Sequence, residues 1–320
     1  MDPIITVTLN PAIDRVIEVS GFAVGAHQRG RLIARAAAGK GVNVSRVLAS
    51  LGVGNTATGF VGAGDLEFFE QSLAECAEHG AATRPQFLAV KGCTRENLTI
   101  IDPESGVETH VRDLGMETSP ADIDRLSKKI NLLARPGGVV VFSGSLPPGM
   151  EIDAAVGLID LAVSKGAKVA VDGPGALLQA VADRPLWLVK PNVSELAEAV
   201  GRAGQSLCDD DVVASARGLG EKSGVVIVSR GSAGGYMIAE GSAWLGQVRI
   251  DQGLIRSTVG CGDALLAGFI AAQQTGHDLP QSYRHALAVA TAAALEPVPG
   301  RVNTATAAEL LLAASVERLE

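Results

Sequence analysis

Ser257-Thr258-Val259-Gly260-Cys261-Gly262-Asp263 sets two glycines, one small residue and an acid directly ahead of the apolar run Ala264 to Ile270. The pattern predicts a tight turn opening into a buried helix. Gly260 and Gly262 turn without a Cβ penalty, and the unpaired N–H groups of a first helical turn carry partial positive charge that suits an anion. Asp263 would lie beside that anion hole, where amides favour its ionised form and a carboxylate can take a proton from a hydroxyl. Asp263 is therefore the candidate base, and Gly260, Cys261 and Gly262 the candidate anion hole. The competing reading is a plain glycine turn with an acid at a helix start, so other stretches must decide.

Gly39-Lys40-Gly41-Val42-Asn43 precedes Val44, Val47, Leu48 and Leu51, which share one helical face that Gly52 can end. The stretch is no Walker A loop, because Gly39-Lys40 lacks the following Ser or Thr. Lys40 and Asn43 supply a charge and an amide suited to a polyol or sugar phosphate, with an ordinary helix start as the alternative. Asp14, after the first strand, can accept two hydroxyl donors, although a surface turn acid is commoner. Arg29, Arg95 and Arg112 fall in segments that break the main pattern, and guanidinium groups bind phosphate bidentately. Asn192 and Glu195, three apart, read either as a capping box or as oxygens holding hydrated Mg²⁺. Ser229-Arg230-Gly231-Ser232-Ala233-Gly234 reads as a turn that lets nucleotide phosphates near the main chain, or merely turns it.

These residues need a frame, and the sequence describes one. Short β-branched runs at 4–9, 139–142, 168–171, 186–189 and 225–228 each end in a polar cluster, and helix-compatible segments such as 153–164 and 194–200 separate them. That alternation predicts a parallel sheet with ligands beyond the carboxyl ends of its strands. Residues 13–35 and 88–114 depart from it, the latter holding a hairpin around Asp102-Pro103-Glu104-Ser105-Gly106, and together they are expected to form a small β lid. The α/β domain would then comprise 1–12, 36–87 and 115–320.

The 320 residues are 47% hydrophobic but only 3% aromatic, which fits Ala-, Val- and Leu-rich helices packed on a sheet. A net charge of −8 argues against nonspecific nucleic-acid binding. Cys76, Cys93, Cys208 and Cys261 show no Cys-x-x-Cys spacing, and the five His are expected to stand apart. No basic leader and no apolar run of about 20 residues is present, so a cytoplasmic, non-membrane protein is expected.

Together the motifs make the chain similar to the PfkB (ribokinase-like) family of carbohydrate kinases, from Asp14 through Ala38-Gly39-Lys40-Gly41-Val42-Asn43 and Lys190-Pro191-Asn192-x-x-Glu195 to Gly260-Cys261-Gly262-Asp263. Thr8-Leu9-Asn10-Pro11-Ala12-Ile13-Asp14, Thr94-Arg95-x-Asn97 and Ser143-Gly144-Ser145-Leu146-Pro147-Pro148-Gly149 resemble the branch acting on phosphorylated ketohexoses. The resemblance implies a doubly wound α/β fold with a β lid that often mediates homodimers, and ATP with Mg²⁺ phosphorylating fructose 1-phosphate or tagatose 6-phosphate. It implies Asp263 as base and Asp14, Arg29, Gly39, Lys40, Asn43, Arg95 and Ser143 facing the sugar phosphate. Lys190, Asn192, Ser229, Gly231 and Gly234 would line the nucleotide, and Asn192, Glu195 and Asp172 would serve the Mg²⁺–phosphate network. The chain departs from the family in Ala38, where glycine is usual, and in Cys261, where Ala or Ser is common. His110 and Arg112 leave the second lid contact to the substrate phosphate unassigned.

Overall fold

Alternate residues of each central strand enter different cores, which is what a sheet buried on both faces requires. Val139, Val141 and Ala170 pack with Val44, Leu48, Leu266 and Phe269, whereas Val140, Phe142 and Val171 pack with Ile130, Ile159 and Leu178. Each fully buried Val or Leu contributes roughly 1.5–3 kcal/mol over an exposed one. The structure, a computed structural model, describes residues 2–75 and 81–319. Cys76, one of the scattered thiols, lies outside the described residues.

The chain runs β1 (Ile4–Thr8), β2 (Ala12–Glu18), β3 (Arg31–Ala38), α1 (Lys40–Ser50), β4 (Asn55–Gly62), α2 (Leu66–Ala74), β5 (Thr83–Pro85) and β6 (Leu88–Val90). There follow β7 (Arg95–Ile101), β8 (Glu108–Arg112), α3 (Pro120–Leu133), β9 (Val139–Ser143), α4 (Ile152–Ser164), β10 (Lys168–Asp172), α5 (Gly175–Ala180), β11 (Leu188–Val189), α6 (Val193–Ala199) and α7 (Asp209–Leu219). The last elements are β12 (Val225–Ser229), β13 (Gly235–Ala239), β14 (Ser242–Val248), α8 (Cys261–Gln274), α9 (Leu279–Ala294), α10 (Thr304–Ala313) and β15 (Ala314–Leu319).

Eleven strands form the main sheet, in the order β15-β14-β13-β12-β11-β10-β9-β1-β4-β5, with β6 also on β4. From β12 to β5 the pairing is parallel. The connection reverses direction around β1, so the crevice beyond the carboxyl ends of β1 and β9 is the expected ligand position. Helices α1, α8, α9 and α10 cover one face and α3 to α7 the other. The antiparallel edge β13-β14-β15, absent from the expected alternation, joins residues as distant as Ala243 and Leu319. No described helix is long and apolar enough to cross a membrane.

A second sheet, β3-β2-β7-β8, makes the lid. Its strands cover 12–38 and 95–112, and Leu88–Val90, expected in the lid, pairs with β4 of the main sheet instead. Ile13 and Ala37 anchor its root in a cluster with Val42, Val61 and Phe69. The expectation of isolated histidines fails at one place, since the His277 and His285 rings meet edge to face at 4.6 Å.

Candidate active site

Helix α8 begins at Gly260, whose φ of 81° is left-handed, and no side chain caps its first turn. The N–H groups of Cys261, Gly262 and Asp263 therefore start a helix with nothing from the protein's side chains competing for an anion. A Cβ at position 262 would lie 3.3 Å from Lys190 Nζ, so glycine there keeps an ammonium group next to the amides.

Asp263, on this first turn, is 4% exposed. Asn43 Nδ2, from the first turn of α1, donates to its Oδ2 at 2.8 Å. Burial pushes the Asp263 carboxyl up to about 7 and the Asp172 charge adds to this, while Asn43, Lys190 and Lys40 pull the other way. A carboxylate poised near neutrality suits proton transfer. Burial, reinforced by Asp263, pushes the Cys261 thiol up to about 11, so the thiol stays protonated and acts as a small spacer.

Asp172, at the end of β10, is fully buried and organises the cations. Its Oδ1 meets Lys40 Nζ at 3.1 Å and Lys190 Nζ at 3.3 Å, and its Oδ2 accepts from Ser143 Oγ at 3.2 Å. Both oxygens are thus engaged by the protein, which makes Asp172 the counter-ion of two lysines. Ser143, 4% exposed, lies at the end of β9 beside this cluster and donates to Asp172. Lys40 also reaches Glu195 Oε1 at 3.2 Å. Burial lowers the Lys40 pKa, but Asp172, Glu195 and Asp263 outweigh it and hold the ammonium above the ordinary lysine range.

Asn192 and Glu195 form a reciprocal capping box at the start of α6. Asn192 bridges to Ser229, so two expected nucleotide residues stand side by side at the ends of neighbouring strands. Gly231 has φ 58° and open space around it, as an approach path needs. Gly234 answers to a different demand: a Cβ there would sit 2.0 Å from the Gly246 carbonyl oxygen, so packing against β14 requires the glycine.

Gly39, with φ 123°, lies where a Cβ would be 3.0 Å from Pro11 Cα, letting the start of α1 press on the end of β1. On the lid, Asn97 Nδ2 donates to Asp14 Oδ1 at 2.7 Å. Burial raises the Asp14 carboxyl against Asn97, Arg46, Arg95 and Arg112. Arg95 donates to the Asn10 and Pro11 carbonyls, both at 3.2 Å, and so ties the lid to the crevice. Arg29 is exposed in the β2–β3 loop, and no hydrogen bond or ion pair among the described residues links it to this cluster. Sequence reasoning quoted Asn97 in the Thr94-Arg95-x-Asn97 motif but gave it no role, and it missed Arg46; Asn97 stands two residues from Arg95, the spacing that puts both on one strand face.

The pfkB family carbohydrate kinase pattern matches residues 7–304. The chain belongs to this family. A 1-phosphofructokinase of Rhodobacter capsulatus is 38% identical over 288 residues, covering 89% of this chain and 88% of that protein. One from Bacillus subtilis is 32% identical over 283 residues, covering 88% and 89%. Among solved structures, phosphofructokinase-2 from Escherichia coli in complex with potassium superposes with a TM-score of 0.90 at 25% identity, covering 98% of this chain and 99% of that one. This carbohydrate kinase therefore carries its buried acid, amide turn and lysine pair on a ribokinase-like scaffold.

Proposed function

We propose that this kinase transfers the γ-phosphate of ATP to a hydroxyl of a ketohexose that already bears a phosphate, with fructose 1-phosphate the foremost substrate and tagatose 6-phosphate next. The observation that carries the reading is the buried Asp263, held by Asn43 beside the uncapped start of α8. Asp263 takes the proton as the sugar oxygen attacks. The Gly260–Gly262 amides and Lys190 face the charge spreading over the transferred group, and Lys40 holds its approach. Positioning and electrostatics carry most of phosphoryl transfer, so the lysine pair set by Asp172 is as much a part of the machinery as the base.

No cluster of three or more His, Cys, Asp or Glu side chains forms a metal cage among the described residues. That fits Mg²⁺, which keeps several waters and leans on phosphate oxygens. Glu195 and Asn192 would hold it through those waters. When bound, the ion neutralises phosphate charge.

The names of the relatives support fructose 1-phosphate, whereas the E. coli phosphofructokinase-2 solved with fructose 6-phosphate supports fructose 6-phosphate as the alternative after tagatose 6-phosphate. The test is coupled ADP release over fructose 1-phosphate, tagatose 6-phosphate, fructose 6-phosphate, fructose and ribose, with Asp263→Asn as control. ADP release that is independent of sugar, or sugar binding without ADP release as in a sensor, would overturn the reading. The lid is also proposed as a homodimer contact, supported by the exposed Leu32, Val107 and Val111 and by a tetrameric form of that same relative.

A further inference from the structure

Asn10 follows β1 and is buried, with 5% of its surface exposed. Its Nδ2 donates to three acceptors from two distant segments: the Leu114 carbonyl at 3.3 Å, Ser145 Oγ at 3.3 Å and the Leu146 carbonyl at 3.2 Å. Asn10 stands just before β2, where the chain enters the lid, and Leu114 just past β8, where it leaves. Ser145 and Leu146 belong to the turn after β9, at the rim of the crevice. One amide therefore draws together both chain ends of the lid and a turn of the body. The Asn10 main chain adds a further tie, since its carbonyl accepts from Arg95 Nη2 at 3.2 Å.

The fit around this amide is close. Gly115 has φ 102°, and a Cβ there would lie 2.6 Å from Asn10 Oδ1, so the chain leaving the lid closes on the side chain only through a glycine. That Oδ1 is buried with no hydrogen-bond partner among the described residues. An unpaired buried acceptor destabilises a fold, and an aliphatic side chain would fill the space without one. Packing alone does not call for an amide at position 10, whereas the three acceptors do. The turn it holds is fixed at its other end to the charged centre of the site: Gly144 N–H donates to the Asp172 carbonyl at 2.8 Å, and Ser143 Oγ to the Asp172 carboxylate at 3.2 Å. Asn10 thus joins the lid to the part of the body that carries the buried acids.

We propose that Asn10 is a positioning residue, which sets the lid against the Ser145–Leu146 turn so that the acceptor sugar is held from lid and body together while water is kept from the transferred phosphate. It acts through Leu114, Ser145 and Leu146. The inference rests on the phosphoketohexose reading above for its substrate. Asn10→Asp keeps the shape, removes both donors and sets a carboxylate against two carbonyl oxygens. In the full chain it is expected to raise KM for fructose 1-phosphate about tenfold and to leave KM for ATP within about twofold. ADP released per sugar bisphosphate formed should rise as well, because water then takes part of the phosphate and yields inorganic phosphate. A side chain that merely supports the fold would lower Tm and the active fraction and leave both KM values and that ratio alone. Should Asn10→Asp not fold, Asn10→Ala removes the donors without a charge and is read in the same three quantities. Gly115→Ala presses on Oδ1 and should raise the same KM, but by a smaller factor in the Asn10→Ala background, where the shorter side chain leaves room. Unchanged KM for fructose 1-phosphate, equal rises for sugar and ATP, an unchanged ADP ratio, or full additivity of the two alanines overturns the joint alone. A wild type that phosphorylates no phosphoketohexose overturns the joint and the functional reading together.

Discussion

At the residue scale the site is a balance of buried charges, and two substitutions test it from opposite sides. Asp263→Asn keeps the shape and removes the proposed base, so kcat should fall by roughly 10²–10⁴ while ATP and sugar-phosphate binding change little. The wild-type rate should decline on the acid side of a midpoint near 7, where the carboxyl takes up its proton. Folding feels the same shift with a definite sign. Between the unfolded value of 3.8 and the folded value of about 7 the native state binds more protons, so this group's contribution to stability falls as pH rises through that window. Asp263→Asn should therefore be more stable than wild type above neutrality, by roughly 1–3 kcal/mol, and the gain should vanish near pH 4. Urea midpoints at the two pH values measure it, and a variant that is less stable at pH 8 would contradict the buried-charge account. Asp172→Asn works the other way. It strips Lys190, 3% exposed, of its counter-ion and should destabilise the fold by about 3–5 kcal/mol, readable in the same unfolding experiment.

At the scale of elements, α8, which carries the proposed anion hole, lies hard against α9. A Cβ on Gly268 would lie 2.9 Å from Val289 Cβ and 3.0 Å from Ala286 Cα, so α9 would have to move. Gly268→Ala should thus lower stability by about 1–3 kcal/mol, although helix propensity alone favours alanine. Gly157, inside α4 with nothing within 4 Å of a Cβ, should respond to alanine with a gain of about 0.5–1 kcal/mol. Calorimetric Tm values that move in the same direction for both would refute the packing argument. The sequence made α8 legible because Gly260, Asp263 and the apolar run share one short stretch. It also marked α1, whose expected end at Gly52 has the left-handed φ of 78°. Gly268 was not legible as a contact, because its neighbour is set by how two helices cross. The same limit hid the role of Asp172, whose partners Lys40, Ser143 and Lys190 come from three other strand ends or helix starts.

For the whole molecule, the parallel core could be read from strands ending in polar clusters, since each carries its own signal. The β14–β15 pairing at the antiparallel edge could not, because those two strands are far apart in sequence. The lid shows a similar division: its hairpin was local and readable, while the row joining Asp14 to Arg112 depends on register across β2, β7 and β8. Register also assigns the other lid face. Leu32 pairs with Ile17 and Val111 with Leu98, on the side away from Asp14, and Leu32 and Val111 are each 53% exposed. An apolar sheet face flanked by charges is what a second copy of the lid would cover. Light scattering across micromolar concentrations should give a dimer for the wild type and a monomer for Leu32→Glu with Val111→Glu, since two buried acids at a symmetric contact become four. The monomeric variant should also lose kcat/KM, because the same strands carry Asp14 and Arg95 to the crevice. A wild type that stays monomeric, or a dimer that survives both glutamates, would take the contact away from the lid.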